Sequence, residues 1–262
     1  MAMLARALLI DITRCIGCRA CVAACQEIHG FPGNDAATEL SAVAYTAMVD
    51  MGELHVRKLC MHCLTPSCAS VCPVAAFQKT DAGPVVYDAR RCLGCRYCMV
   101  ACPFGVPRYE WTSAVPAVRK CDMCAERLAQ GGLPGCVEAC PVEATITGSR
   151  EELLAEAHRR IRESPESYYP HVYGETEAGG TSVLVLSPVS FAALGFRQGL
   201  GARPLSDLTW SALEKIPGVV TIGGAALLGV WWITNRREEV AAAAASEAQA
   251  SEAGKEHDHG SR

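Results

Sequence analysis

The chain has 262 residues, a formal net charge of −4 and 16 cysteines, and 6% of its residues are aromatic. This mildly acidic balance excludes the basic surface typical of proteins that bind nucleic acid, so no nucleic-acid partner is expected. A length of 262 residues allows one or two domains.

The first 14 residues form a short apolar segment of the kind that signal peptides also contain. They lack a clear charged leading region, a small-residue cleavage site and a twin-arginine pair. We therefore predict a β-strand at Leu8–Ile12 that leads into the first cysteines. Thr145–Thr147 is the candidate partner for this strand.

The cysteines form four runs, of which the first and third have the spacing C-x2-C-x2-C-x3-C. Bacterial ferredoxins bind iron–sulfur clusters with this spacing. Disulfide scaffolds are usually short, loop-rich secreted domains, and four-thiolate zinc sites do not need the third cysteine of such a run. We therefore favour iron–sulfur clusters over both alternatives. The four runs use every cysteine of the chain: Cys15, Cys18, Cys21 and Cys25; Cys60, Cys63, Cys68 and Cys72; Cys92, Cys95, Cys98 and Cys102; Cys121, Cys124, Cys136 and Cys140.

The runs are related by an internal repeat. Residues 14–26 and 91–103 are identical at 8 of 13 positions, and 71–76 corresponds to 139–144. The predicted fold is therefore α+β, with two interlaced bacterial-ferredoxin-like (4Fe-4S dicluster) units that arose by internal duplication. Both units lie in a tandem four-cluster domain at 1–150.

The inner runs are close in sequence, and the outer runs are far apart. A hairpin predicted over 76–87 makes 60–102 a contiguous two-cluster unit, so the first and fourth runs must close on each other. The segments Gly30–Leu54 and Tyr109–Val118 are predicted to be loops that contact partner proteins.

After the fourth run, a helix is predicted at Ser149–Arg162, because Ser149 and Glu152 form a capping box. The remainder of 151–210 is predicted to be an extended arm that packs on partners, although Ser182–Leu186 resembles a strand.

Ile216–Thr234 contains 19 residues without a charge, which as a helix would extend about 28 Å, enough to cross a bilayer. We predict a transmembrane helix at 211–237 and a disordered tail at 238–262. The alternative is a buried helix of a globular domain, since several glycines lower the hydrophobicity of the segment.

The chain resembles the four-cluster iron–sulfur subunits of membrane-bound respiratory oxidoreductases, including formate dehydrogenase β subunits. It is most similar to the electron-transfer subunit of membrane-bound uptake nickel–iron hydrogenase. The resemblance covers Ile10 to about Leu186 and the C-terminal span. It departs from the hydrogenase subunit in lacking a twin-arginine signal, as formate dehydrogenase β subunits do. Besides the cysteines, it rests on four segments: Lys58–Cys63, Cys95–Pro103, Gly131–Glu138 and Tyr169–Gly174.

The resemblance implies a non-catalytic subunit that relays electrons through four [4Fe-4S] clusters. Its partners would be a catalytic oxidoreductase subunit and an integral membrane subunit of quinone-reactive or cytochrome b type. The implied cluster ligands are Cys15, Cys18, Cys21 and Cys140; Cys25, Cys121, Cys124 and Cys136; Cys60, Cys63, Cys68 and Cys102; Cys72, Cys92, Cys95 and Cys98.

Arg236 and Arg237 follow the span and favour the cytoplasmic side for its C-terminal end. We therefore expect an inner-membrane protein with its cluster domain in the periplasm, exported with a signal-bearing catalytic partner. Two other functional classes are a free-standing polyferredoxin, which the span argues against, and a zinc-binding interaction module.

Charged residues beside the cysteines offer few further candidates. His62 lies between two cysteines and is expected to be a surface or supporting residue rather than a ligand. Four flanking cations could raise cluster potentials, although such charges more often meet solvent or a partner: Arg19, Arg91, Arg96 and Lys120.

Overall fold

The computed structural model describes residues 5–33, 36–114 and 116–258, with side chains to 248. The chain divides into two units, Met1–Asp207 and Leu208–Arg262. The strands are β1 (Arg6–Asp11), β2 (Ala47–Met51), β3 (Leu54–Lys58), β4 (Phe77–Lys79), β5 (Val85–Tyr87), β6 (Arg108–Tyr109), β7 (Val118–Arg119), β8 (Thr145–Ser149) and β9 (Val183–Leu186). The α-helices are α1 (Ala20–His29), α2 (Ser67–Ser70), α3 (Tyr97–Ala101), α4 (Ala125–Ala129), α5 (Gly135–Glu138), α6 (Arg150–Glu163), α7 (Leu205–Leu213) and α8 (Ile216–Asp258).

The first unit is built on a three-stranded sheet with the strand order β8-β1-β9. Strand β1 pairs antiparallel with β8, where Leu9 faces Ile146, and parallel with β9, where Leu9 faces Leu184. The predicted strand and its predicted partner are therefore confirmed. Both faces of the sheet are covered, because Leu9 and Leu184 pack with Leu153 of α6 while Leu8 belongs to a separate cluster on the other face.

The prediction of an extended arm after helix α6 was wrong. Strand β9 is buried along its whole length beside β1, and the first unit continues to Asp207 with no boundary at residue 150. A strand with apolar neighbours on both faces reads as a continuous apolar run. Val183–Leu186 is such a run, and its burial explains the sequence.

Helix α6 begins with the predicted capping box. The Ser149 side chain accepts a hydrogen bond from the Glu152 N–H, and Glu152 Oε2 accepts one from the Ser149 N–H at 3.0 Å. Further along, Arg160 Nη1 donates to Asp11 Oδ2 at 2.8 Å, and the Tyr168 hydroxyl donates to the same oxygen at 2.9 Å. Helix α6 is thereby attached to the end of β1, four residues before the first cysteine.

Three hairpins complete the unit. The predicted hairpin is confirmed as β4–β5, and its turn lies against β1, because the Arg6 N–H donates to the Ala82 carbonyl at 2.8 Å. The expectation of a loop was wrong for the end of Gly30–Leu54, whereas in Tyr109–Val118 only the two end residues are in strands and the described residues between them form a loop. These segments contribute to the β2–β3 and β6–β7 hairpins, and Gly52 supplies the left-handed turn between β2 and β3.

The second unit is helical. Within the described residues one helical segment, Leu205–Ala248, is long and apolar enough to cross a membrane. Helix α8 continues to Asp258, so the predicted disordered tail is helical up to that residue, and 259–262 lie outside the description. Alanine and glutamate dominate 238–252, and both have high helix propensity, which explains the extension.

Candidate iron–sulfur cluster sites

All 16 cysteines lie in the described ranges and are free thiols. Four of them line a small cavity together with Arg57 and Thr145: Cys15, Cys18, Cys21 and Cys140. A second cavity, which Lys120 also lines, is surrounded by another four: Cys60, Cys63, Cys68 and Cys102. In each group, three thiols come from one run and the fourth comes from another run.

The remaining eight cysteines also lie near one another, because each of the thiols described next has other cysteines among the causes of its raised pKa. Burial raises the pKa of the Cys25 thiol to about 12, and Cys136 and Cys124 add to the rise. Burial also raises the pKa of Cys121, with Cys25 as the next cause. Among the other four cysteines, burial and then Cys92, Cys95 and Cys72 raise the pKa of Cys98 to about 11. The ligand sets that the family resemblance implies remain a prediction, with which these groupings are consistent.

We call the groups that contain Cys15 and Cys25 the outer half, which uses runs 15–25 and 121–140. The groups that contain Cys60 and Cys92 form the inner half, which uses runs 60–72 and 92–102. Each half therefore combines one run with the spacing C-x2-C-x2-C-x3-C and one irregular run.

Equivalent positions of the two halves have the same unusual backbone. Gly17 and Gly94 have φ of 69° and 74°, and Arg19 and Arg96 have φ of 59° and 62°. Left-handed arginine is uncommon, so a matched pair reflects a turn that the cysteine spacing imposes. The irregular runs match as well, with φ of 48° and 58° at His62 and Met123, and of 49° and 50° at Ala75 and Glu143.

These turns direct backbone N–H groups at the cysteine sulfurs. Among the described residues, such hydrogen bonds include those from Gly94 to Cys92 Sγ at 3.4 Å, from Ala76 to Cys72 Sγ at 3.2 Å, from Val106 to Cys102 Sγ at 3.5 Å and from Met123 to Cys121 Sγ at 3.3 Å. A donor aimed at sulfur favours the thiolate over the thiol, and the thiolate is the form that binds metal.

The two lysines of the inner half donate to oxygen atoms. Lys120 Nζ donates to the Val85 and Cys121 carbonyls, and Lys79 Nζ donates to the His62 carbonyl, the Gly83 carbonyl and Ser182 Oγ. Burial lowers the pKa of Lys79 to about 8.

His62 is fully enclosed, so the expectation of a surface residue was wrong. Its Nδ1 accepts a hydrogen bond from the Val85 N–H at 2.9 Å. Burial, followed by Lys120 and Lys79, holds the pKa of His62 well below its usual value, so the imidazole is neutral. His62 thus supports the β4–β5 hairpin through Nδ1, and because Nδ1 is the acceptor, the proton of the neutral imidazole lies on Nε2.

A family model described as a 4Fe-4S dicluster domain matches residues 53–150. The chain is 44% identical over 255 residues to a protein of Nitratidesulfovibrio vulgaris, covering 91% of this chain and 69% of that protein. It is 42% identical to the hydrogenase-2 operon protein HybA of Escherichia coli O157:H7, covering 79% and 76%. It is 34% identical to the formate dehydrogenase iron-sulfur subunit of Haemophilus influenzae, covering 85% and 78%. The chain belongs to this family of iron–sulfur subunits.

The sequence did not reveal one residue that stands out within this iron–sulfur subunit. Arg57 of β3 is buried beside thiols of the outer half, and its Nη1 donates to Thr145 Oγ1 at 3.1 Å. Strand alternation would place Val56 and Arg57 on opposite faces, one buried and one exposed, yet both are buried. No local signal distinguishes Arg57 from the exposed Lys58 that follows it.

Proposed function

We propose that this chain relays single electrons between a catalytic subunit of hydrogenase or formate dehydrogenase type and a membrane subunit that reacts with quinone. The observation that carries the proposal is the convergence of cysteines: eight of the 16 free thiols line two cavities, four in each. Such thiolate quartets suit [4Fe-4S] clusters, whose electron-transfer potentials depend on charge, hydrogen bonding and exposure.

The chain would hold four clusters, one in each group. The donor set supports this, since the thiols of each group converge and backbone N–H groups address sulfurs of both halves. The matched left-handed residues of equivalent runs support an origin of the two halves by internal duplication. The proposed ligand sets are Cys15, Cys18, Cys21 and Cys140; Cys25, Cys121, Cys124 and Cys136; Cys60, Cys63, Cys68 and Cys102; Cys72, Cys92, Cys95 and Cys98.

Metal analysis of the anaerobically purified chain tests the cluster count. Four filled sites correspond to about 16 iron and 16 sulfide per chain. A value near eight iron in intact, fully loaded protein would contradict four clusters, and zinc without sulfide would indicate the interaction module instead.

Paired substitutions test the ligand sets. Cys140→Ser and Cys18→Ser should perturb one and the same EPR signal, because the two residues line one cavity. Cys102→Ser and Cys63→Ser should perturb a second common signal. If Cys140→Ser alters only the cluster of Cys121 and Cys124, the interlaced arrangement is wrong.

The membrane location rests on the apolar helical segment Leu205–Ala248, and the periplasmic side of the cluster domain rests on Arg236 and Arg237 after the span. Protease added to intact spheroplasts should digest the cluster domain and leave a C-terminal tag protected. The reverse pattern would place the clusters in the cytoplasm. Recovery of the full-length chain in the soluble fraction would favour a free-standing polyferredoxin.

A further inference from the structure

Arg57 carries a buried positive charge with hydrogen-bond donors left over. The residue is 5% exposed, and only Nη1 has an oxygen partner, Thr145 Oγ1. Nε and Nη2 are buried without a partner of standard hydrogen-bond geometry among the described residues. Leaving a buried donor without a partner is unfavourable, and more so on a charged group, so a polar group absent from the protein atoms is expected there.

The surroundings of Arg57 are thiols from both groups of the outer half. Burial lowers the pKa of Arg57, but Cys136, Cys21 and Cys121 more than offset this, partly through a looser contact with the Cys21 sulfur, and the net shift is upward. The influence is mutual. Burial raises the pKa of the Cys15 and Cys25 thiols, and Arg57 counters part of each rise.

The guanidinium also borders the cavity that the first thiol group surrounds, which Thr145 lines as well. By contrast, Lys120 lines the Cys60 cavity but donates to two carbonyls, and Lys79 donates to three oxygens. Among the described residues, Arg57 is the buried cation whose Nε and Nη2 have no partner of standard geometry, and thiols of the outer half are the charges that act on it most.

We infer that Arg57 sets the reduction potentials of both outer-half clusters together, by donating Nε–H and Nη2–H to their sulfur atoms and by placing one positive charge beside both. This inference rests on the proposed function, since it requires clusters in the two thiol groups.

The physical basis is the charge of the site. A cluster held by four thiolates is anionic and gains one more negative charge on reduction, so a nearby fixed cation stabilises the reduced form and raises the potential. Hydrogen bonds to sulfur act in the same direction. No bond is made or broken: the oxidised cluster accepts one electron, and Arg57 keeps its proton.

Redox titration of the full-length chain in detergent, followed by EPR, tests the inference. Signals are assigned to the two outer clusters with Cys18→Ser and Cys124→Ser. Arg57→Met should lower the equilibrium constant for reduction of each outer cluster at least about tenfold. For one electron this corresponds to a fall of about 59 mV in the potential. Arg57→Lys keeps the charge but loses the fork of donors, so both potentials should fall by less.

In both variants, the equilibrium constants for reduction of the inner-half clusters should stay within about threefold of those of the parent chain. Arg90→Gln, at an exposed site that pairs with Asp88, is the matched control and should move no potential. Unchanged outer potentials in a variant with full iron content would overturn the inference, as would a shift confined to one outer cluster. Loss of outer-half iron in both Arg57 variants would also overturn it, by making Arg57 a requirement for assembly. Absence of iron from the parent chain would instead refute the proposed function.

Discussion

The outer and inner halves use equivalent loops on different supports. The outer runs are separated by about a hundred residues and are brought together by the β8-β1-β9 sheet and α6. The inner runs are near neighbours in sequence, and the β4–β5 hairpin lies between them. Yet Gly17 and Gly94 share one backbone conformation, as do Arg19 and Arg96. Loop shape therefore follows cysteine spacing, whereas the attachment of each loop depends on residues far away in the chain.

The halves also differ in what surrounds the equivalent arginines. Arg19 Nη2 donates to Asp50 Oδ2 at 2.5 Å, and His55 Nδ1 lies 2.7 Å from Asp50 Oδ1. Arg96 instead stacks over Trp111, with its guanidinium carbon 5.2 Å from the ring centroid. An ion pair and a cation–π contact occupy the same position of two similar loops.

The largest expected effect comes from Arg160, which partners the completely buried Asp11 carboxylate at the end of β1. Arg160→Leu leaves that charge without its cation, which costs about 3–5 kcal/mol. We expect denaturant to release outer-half iron first, as followed by EPR. Arg159→Leu is the control on the same helix, because its ion pairs with Glu156 and Glu163 are more exposed and should cost less than about 1 kcal/mol. Equal losses from the two variants would contradict the anchoring role of α6.

The next effect concerns the contact between the inner hairpin and β1. A Cβ at Gly83 would lie 2.2 Å from the Arg6 carbonyl oxygen, and Gly83 has φ of +109°. Gly83→Ala should therefore cost about 2–4 kcal/mol, from the backbone conformation and the overlap together. Gly52→Ala, at another left-handed hairpin turn with open space around it, should cost about 1 kcal/mol. Urea unfolding of both variants in detergent measures the difference, and equal midpoints would show that the hairpin moves freely relative to β1.

A direct comparison of the halves uses their equivalent glycines. A Cβ at Gly17 would lie 2.5 Å from the His55 ring, whereas a Cβ at Gly94 would lie 3.2 Å from the Tyr109 hydroxyl. In both alanine variants the left-handed backbone should lower the free energy of unfolding by about 1 kcal/mol. Gly17→Ala should lower it by about 1 kcal/mol more, because the new Cβ displaces His55 from Asp50. Iron retention in urea should fall further in Gly17→Ala. A larger loss in Gly94→Ala would mean that the inner loop is the more constrained of the two.

The smallest effects separate the two arginine environments. Asp50→Asn and Trp111→Leu should each lower stability only slightly, since both side chains are exposed. Salt distinguishes them, because ions screen an exposed ion pair strongly. The Asp50→Asn difference from the parent chain should shrink in about 1 M salt, while most of the Trp111→Leu difference should persist. The same salt response in both variants would contradict the distinction between an ion pair at Arg19 and a cation–π contact at Arg96.

Local patterns accounted for much of this molecule. The cysteine spacing, the Ser149 capping box, the β4–β5 hairpin and the pairing of β1 with Thr145–Thr147 were all predicted from short segments, because each depends on neighbours or on a repeat. Strand β9 was misplaced because its four apolar residues cannot indicate their partner, and pairing with β1 is a long-range contact. Arg57 was missed for a related reason: its function depends on thiols that come from other segments of the chain.

The position of β9 also affects the order in which the chain assembles. β1 carries no unpaired edge in the finished sheet, yet its parallel partner ends at Leu186 and must be synthesised long after it. At 5–20 residues per second, a ribosome needs roughly 10–35 s to make the intervening chain. During that interval the ribosome synthesises the inner cysteine runs, while β1, which precedes the first run, still lacks its parallel partner. The sheet that supports the first run therefore cannot be complete until Val183–Leu186 has been synthesised, and in chain order that segment follows all 16 cysteines.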